Sequence, residues 1–146
     1  QPSDIDPKRL DSIKAYIQEG DHENIRTPLL LDVTACDWAK NINGYDVIIT
    51  INIFHLISNR EMKNLIRESS FALKRNGYFM IYGPFMRSGE LISDQDFKFH
   101  NSLINYDQEI GYKDDFDILD EIEENNLSPE AVIEMPANNL MFIAKK

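Results

Sequence analysis

Apolar residues Leu10, Ile13 and Ile17 recur behind Asp6-Pro7 at the spacing of one helix face. Asp6 suits the N-cap, Pro7 the first turn and Gly20 the stop, so the spacing predicts a first helix between them. A polar patch over 21–27 follows, and then the nearly continuous apolar run 28–33, PLLLDV, broken by Asp32. Such a run predicts a strand buried on both faces. Residues 47–54, VIITINIF, are rich in β-branched side chains, follow the turn-forming Asn43-Gly44, and predict a second strand. Ser58-Asn59-Arg60-Glu61 has the form of a capping box, and Met62, Leu65, Ile66, Ser69 and Leu73 continue at helical spacing until Asn76-Gly77. A strand over 78–82 runs into Gly83-Pro84-Phe85. Residues 86–113 show no clean periodicity and read as a long loop, insertion or lid with short helical pieces, which is a functional or mobile element when it occurs. A last helix covers 114–125 with Phe116, Leu119 and Ile122 inward, and two strands, 131–135 and 140–144, close the chain.

Buried strands alternating with amphipathic helices predict an α/β fold, a Rossmann-like, mostly parallel sheet with helices on both faces. The tail departs from that pattern. Only residues 136–139 separate its two strands, a connection that permits an antiparallel hairpin and forbids a parallel crossover.

Composition narrows the picture. With 146 residues, 42% of them hydrophobic, the chain is expected to form one domain over 1–146. A net charge of -10 repels polyphosphate backbones, so nucleic acid is not an expected partner. No apolar run has the length of a membrane span, and neither a membrane nor a secretory leader is expected. The lone Cys36 forms no intramolecular disulfide, and a cytoplasmic location is the simplest expectation. The first residue is Gln1, and Gln-Pro-Ser-Asp-Ile-Asp-Pro reads as the end of something, so further residues are expected before it.

Ligands of open α/β sheets bind beyond the C-terminal ends of the strands. That rule turns the strand reading into a list of candidates: Asp4, Asp32 and Val33, Asn52 and His55, residues 82–85, and the corner at Asn138-Asn139. Other chemistries find no pattern. One cysteine and dispersed histidines do not make a zinc site, the acidic run after Asp114 lacks the spacing of a calcium loop, and no Gly-x-Ser-x-Gly elbow is present.

The architecture resembles the seven-stranded fold of class I S-adenosylmethionine-dependent methyltransferases, whose last strand is inserted antiparallel. More closely, QPSDIDP, LLLDVTA, INIFHL, YGPF and EMPANNL resemble the motifs of a conserved methyltransferase-like family found in bacteria and animals, over Gln1 to Lys146. The resemblance implies S-adenosylmethionine as methyl donor and a small-molecule acceptor. It places Asp4 on the donor's ribose hydroxyls, Ile5 against the adenine, Asp32 and Val33 at the adenine edge, and Asn52 beside the methionine part. His55 would then face the acceptor, and Asn138 and Asn139 would face the site or lock the corner beside it. One departure is large: the glycine-rich turn after the family's first strand is absent, and the six glycines at 20, 44, 77, 83, 89 and 111 are scattered. The missing strand, loop, helix and second strand exceed one βαβ unit of about 30 residues and would lie before Gln1. The chain then holds the C-terminal part, roughly two-thirds or more, of such a domain.

Plainer roles stand beside these. Asp4 and Asp32 also suit surface or strand-end carboxylates, and Asn52 a loop cap. His55, with an ordinary pKa near 6.5, suits a base that takes a proton from the acceptor, although proximity alone also drives methyl transfer. Tyr82, Phe85 and Arg87 suit an acceptor pocket; Phe85 equally suits the core. Two further functions remain open at this point: a non-catalytic binding or scaffold protein on the methyltransferase fold, and a nicotinamide-dependent oxidoreductase, the weakest because no Tyr-x-x-x-Lys dyad is present. A homodimer is left open.

Overall fold

In the computed structural model, which describes residues 1–20 and 22–146, the chain divides into two units, Gln1–Val33 and Thr34–Lys146. Asp21, in the polar patch after the first helix, lies outside the described residues.

The smaller unit holds β1 (Ser3–Asp4), α1 (Pro7–Glu19) and β2 (Leu29–Leu30). Asp6 caps α1 as its position predicts, its carboxylate accepting the Lys8 N–H at 2.9 Å, and Gly20 closes the helix. β1 and β2 pair in parallel, Ser3 with Leu29 and Asp4 with Leu30. The strand expected to be buried on both faces is therefore a two-residue pairing, and Leu30 is 65% exposed. Within this unit a single short strand is its ladder partner, too little surface to cover both faces.

The larger unit carries β3 (Tyr45–Ile51), α2 (Asn59–Ala72), β4 (Leu73–Pro84), α3 (Asp94–Tyr106), α4 (Asp115–Glu124), β5 (Ser128–Glu134) and β6 (Asn139–Lys145). Its sheet has the order β3-β4-β6-β5. β3 and β4 are parallel, while β6 lies between β4 and β5 and runs antiparallel to both. The expected closing hairpin is thus present, and the fold is α/β. Leu65 and Ile66 of α2, Phe79 and Ile81 of β4, Ile118 and Ile122 of α4 and Phe142 of β6 are buried together as the core. β3 buries Thr50 but leaves Val47, Ile49 and Ile51 exposed, and among the described residues no strand pairs with its second edge.

Local rules explain most boundaries. Ser58 and Glu61 close a reciprocal capping box at the start of α2: the Ser58 hydroxyl accepts the Glu61 N–H at 3.3 Å, and the Glu61 carboxylate accepts the Ser58 N–H at 2.7 Å. The helix stops at Ala72, short of the expected Asn76-Gly77. Its terminal carbonyls are taken from elsewhere, since Lys146 Nζ donates to the carbonyls of Ser70 at 2.6 Å and Leu73 at 2.7 Å. Gly44 N–H donates to Ala72 at 2.8 Å. These external donors satisfy groups that another helical turn would otherwise need to pair.

The larger difference is α3. Residues 86–113 contain a 13-residue helix capped by Ser93, whose hydroxyl accepts the Asp96 N–H at 3.2 Å. Its pattern is inverted: the acid Asp96 is the buried residue, while Phe97, Phe99 and Tyr106 are exposed. A hydrophobic period cannot report a helix whose inward anchor is a carboxylate. Among the described residues no helix is long and apolar enough to cross a membrane.

Candidate functional site

In the smaller unit the parallel pairing sets the strand ends side by side, with the Leu31 N–H donating to the Asp4 carbonyl at 3.0 Å. Asp4, Ile5, Asp32 and Val33 therefore share one end of this pair. One Asp4 carboxylate oxygen accepts the Asp6 N–H at 2.8 Å, and the other lies 3.9 Å from Arg9 Nη1. Ile5 is exposed, as is Asp32, while Val33 is half-buried.

In the larger unit the end of β3, the end of β4 and the start of β6 meet along one edge. Asn52, just past β3, adopts φ 55° and donates its N–H to the Tyr82 carbonyl at 2.9 Å. A Cβ on Gly83 would come within 3.5 Å of the Asn52 side-chain oxygen, so the two strand ends are in close approach. Pro84 pairs with Asn139 across β4 and β6. Asn52, Tyr82 and the two asparagines, singled out separately in the sequence, are thereby brought together.

The asparagine corner is held by its own chain. Asn139 Nδ2 donates to the Tyr82 hydroxyl at 3.1 Å and to the Pro136 carbonyl at 3.0 Å. Asn138 Nδ2 donates to Asp96 Oδ2 at 2.9 Å, and Arg87 Nη1 donates to the Asn138 carbonyl at 3.4 Å. Ala137 and Asn138 both adopt φ 58°, a left-handed conformation that asparagine tolerates better than most residues. Phe85 lies in the core, its ring 4.9 Å from that of Phe142 and 6.0 Å from that of Phe54.

His55 sits in a short 3-10 turn after β3 and is only 6% exposed. Its carbonyl accepts the Gly111 N–H at 3.0 Å, and its ring meets Phe99 of α3 and Tyr112 edge-on at 5.6 and 6.3 Å. Its buried Nδ1 has no hydrogen-bond partner among the described residues. Burial, and then the charge of Lys113, lower its pKa from 6.5 to about 4, so the ring is neutral at pH 7. Beside it, His100 Nδ1 accepts the Tyr112 N–H at 3.1 Å, and burial and Lys113 lower its pKa too. Gly111 takes φ 130°, where a Cβ would lie 3.2 Å from His100 Cε1, so both conformation and space select glycine there. Lys113 is itself buried, and burial lowers its pKa against the opposing pull of Glu61 and Glu109.

Sequence reasoning passed over Asp96, Phe99, Tyr112 and Lys113. One signal was present: Ser93-x-x-Asp96 has the spacing of a helix cap. Asp96 is a buried carboxylate that accepts Ser93 Oγ at 2.6 Å, Tyr112 Oη at 3.1 Å and Asn138 Nδ2 at 2.9 Å. Burial pushes its pKa up, but the bonds from Ser93, Asn138 and Tyr112 outweigh that and hold it below the usual value. An open cleft of about 380 Å³ lies beside the first turn of α2, lined by Ser58, Arg60 and Glu61 there and by Thr34, Cys36 and Glu109.

Strands β3 and β4 in parallel, β6 inserted antiparallel beside β4, and polar residues gathered at the strand ends define the class I methyltransferase fold. An O-methyltransferase family protein from Burkholderia thailandensis matches 96% of this chain and 41% of its own length, with a TM-score of 0.81 at 14% identity. An O-methyltransferase family 2 protein from Planctomyces limnophilus, solved with apigenin, gives the same figures, TM-score 0.81, 14% identity, and 96% and 41% of the two chains. Geranyl diphosphate C-methyltransferase from Streptomyces coelicolor, solved with Mg2+, geranyl diphosphate and S-adenosyl-L-homocysteine, matches 98% of this chain and 63% of its own, with a TM-score of 0.74 at 9% identity. The chain thus spans 41% of the length of the first two. It belongs to the family described as protein of unknown function (DUF938), whose profile matches residues 1–146.

Proposed function

We propose that the protein takes part in S-adenosylmethionine-dependent methyl transfer to a small-molecule acceptor, as part of one methyltransferase domain. The observation that carries this reading is the edge where Asn52, Tyr82 and Asn139 converge at the C-terminal ends of β3 and β4, the place where open α/β sheets bind ligands. The sulfonium donor supplies an electrophilic methyl group, whose bond to sulfur breaks as a bond to an acceptor O, N or S forms. The reading also takes the chain as the conserved methyltransferase-like family that ends in EMPANNL.

In the smaller unit, Asp4 is chemically fitted to the donor's ribose. Its carboxylate keeps acceptor capacity beyond the single bond from the Asp6 N–H, and a vicinal diol donates two hydrogen bonds. Exposed Ile5 offers an apolar face to the adenine, and Asp32 and Val33 flank its edge. In the larger unit, Asn52 serves the methionine part of the donor. Tyr82, Phe85, Arg87, Asn138 and Asn139 shape the acceptor side, with Phe85 acting from the core and the asparagines by holding Tyr82 and Asp96 in place. Neutral His55 accepts the acceptor's proton once residues 86–113, acting as a lid, open to admit the acceptor to it. With a pKa of about 4 it is a weak base, so orientation of the acceptor carries more of the rate than proton abstraction does.

Titration of the protein with S-adenosylhomocysteine tests the reading. Binding is expected, and Asp4→Ala is expected to weaken it at least about tenfold, since both hydrogen bonds from the diol to the carboxylate are lost. Binding with unchanged affinity in Asp4→Ala removes Asp4 from the site. No binding by the wild type favours the second reading, a scaffold on the same fold; the engagement of both asparagines by the protein's own groups is the observation that supports it.

A further inference from the structure

Asp96 joins three segments that are distant in sequence: Ser93 at the start of α3, Tyr112 in the segment before α4, and Asn138 in the corner before β6. All three donors are neutral, and among the described residues Asp96 makes no ion pair. A buried carboxylate is tolerated only while such donors surround it, so its charge and the closed arrangement depend on each other. Two of these segments, α3 and the one that carries Tyr112, pack on His55. Phe99 lies one turn beyond Asp96 on α3, and Tyr112 is tied to Asp96 through its own hydroxyl. Nδ1 of His55 is buried without a partner among the described residues, a state that leaves a hydrogen bond unmade.

We propose that Asp96 is a positioning residue that latches α3 and residues 111–113 over His55, and that opening the latch turns His55 Nδ1 into a binding point for a flat aromatic ligand bearing a hydroxyl or amine. The ligand class follows from the walls and the floor. Nδ1 of a ring protonated on its other nitrogen is an acceptor and calls for an O–H or N–H. In the closed arrangement Phe99 and Tyr112 pack edge-on against the imidazole, and a ligand that takes their place on opening keeps those contacts with an aromatic body. The latch does not depend on methyl transfer: it holds whether or not the protein binds a methyl donor.

The test is the rate at which diethyl pyrocarbonate acylates each histidine near pH 7, read by peptide mass, with exposed His22 as the internal reference. In the wild type, His55 is expected to react at least about tenfold more slowly than His22, because reaction requires local opening. Asp96→Asn, which sets an amide against the Asn138 amide, is expected to speed His55 about tenfold while leaving His22 unchanged. The exchange Asp96→Asn with Asn138→Asp restores one carboxylate facing one amide and is expected to slow His55 again. Phenol, the probe for the ligand, is expected to protect His55 in Asp96→Asn; a full phenol titration without protection overturns the ligand assignment. Equal His55 rates in wild type and Asp96→Asn overturn the latch. If Asp96→Asn unfolds the protein, Tyr112→Phe decides: faster reaction at His55 alone supports the latch, and no change overturns it.

Discussion

His55 links a single side chain to a measurable property of the molecule. Its folded pKa of about 4 lies below the value near 6.5 expected in an unfolded chain. As pH falls below 6.5 the unfolded chain takes up the proton first, so the stability from a neutral, buried His55 is complete above pH 6.5 and lost by about pH 4. The loss is up to about 3 kcal/mol. The titratable groups that act on or meet the ring are Lys113 and Tyr112, with His100 packed on Tyr112. His100 shifts in the same direction as His55, while burial and Asp96 hold the Tyr112 phenol above its ordinary range, outside this window. Asp96 has a lowered pKa, so its contribution is lost only below the ordinary carboxylate range. Urea unfolding at pH 7 and pH 4.5 is expected to show a smaller drop for His55→Phe than for the wild type; equal drops exclude His55 as the source. At this scale the sequence pointed to both asparagines and to His55 but not to what they touch. Asp96 is 42 residues from Asn138, and a carboxylate facing inward looks like any other acid on a helix.

Two helices were legible from their caps. Asp6 and Ser58 each accept a backbone N–H at a helix start, and α1 and α2 begin where those residues predict; α4, read from its apolar spacing, is capped by Asp114. Ser58→Ala removes one half of the capping box and is expected to destabilise the protein by about 1 kcal/mol in urea unfolding, without altering the Asp96 network. A change below a few tenths would show that the Glu61 half alone holds the turn. α3 was missed because its aromatic residues face outward. The end of α2 was misplaced because the donors that stop it, Lys146 and Gly44, are remote in sequence. β2 was overread because an apolar run specifies burial only when there is enough neighbouring surface to provide it.

On the scale of the whole molecule, charge and strand order matter most. With a net charge of -10, self-repulsion opposes the compact state. Salt at about 0.15 M shortens the screening length to about 8 Å. The thermal unfolding midpoint at pH 7 is accordingly expected to rise from low salt to that ionic strength, and a fall would mean that attractive pairs such as Lys63–Glu121 outweigh the repulsion. The alternation of strands and helices, and the four-residue connection before β6, made the α/β class and the closing hairpin readable, while the sheet of the larger unit is mixed, with one parallel and two antiparallel pairings among the described residues. The division at Val33 was not readable, since no linker composition marks it.

The central place of β6 also sets the order in which the protein can be made. β4 and β5 are both hydrogen-bonded to β6 and not to each other, so the sheet of the larger unit cannot close until residues 139–145 have left the ribosome. Until then the finished lengths of β4 and β5 present bare edges, the form of nascent chain most open to mispairing. Folding of this unit is therefore a late event in its synthesis, and a holding chaperone would have its greatest effect in the interval before β6 emerges.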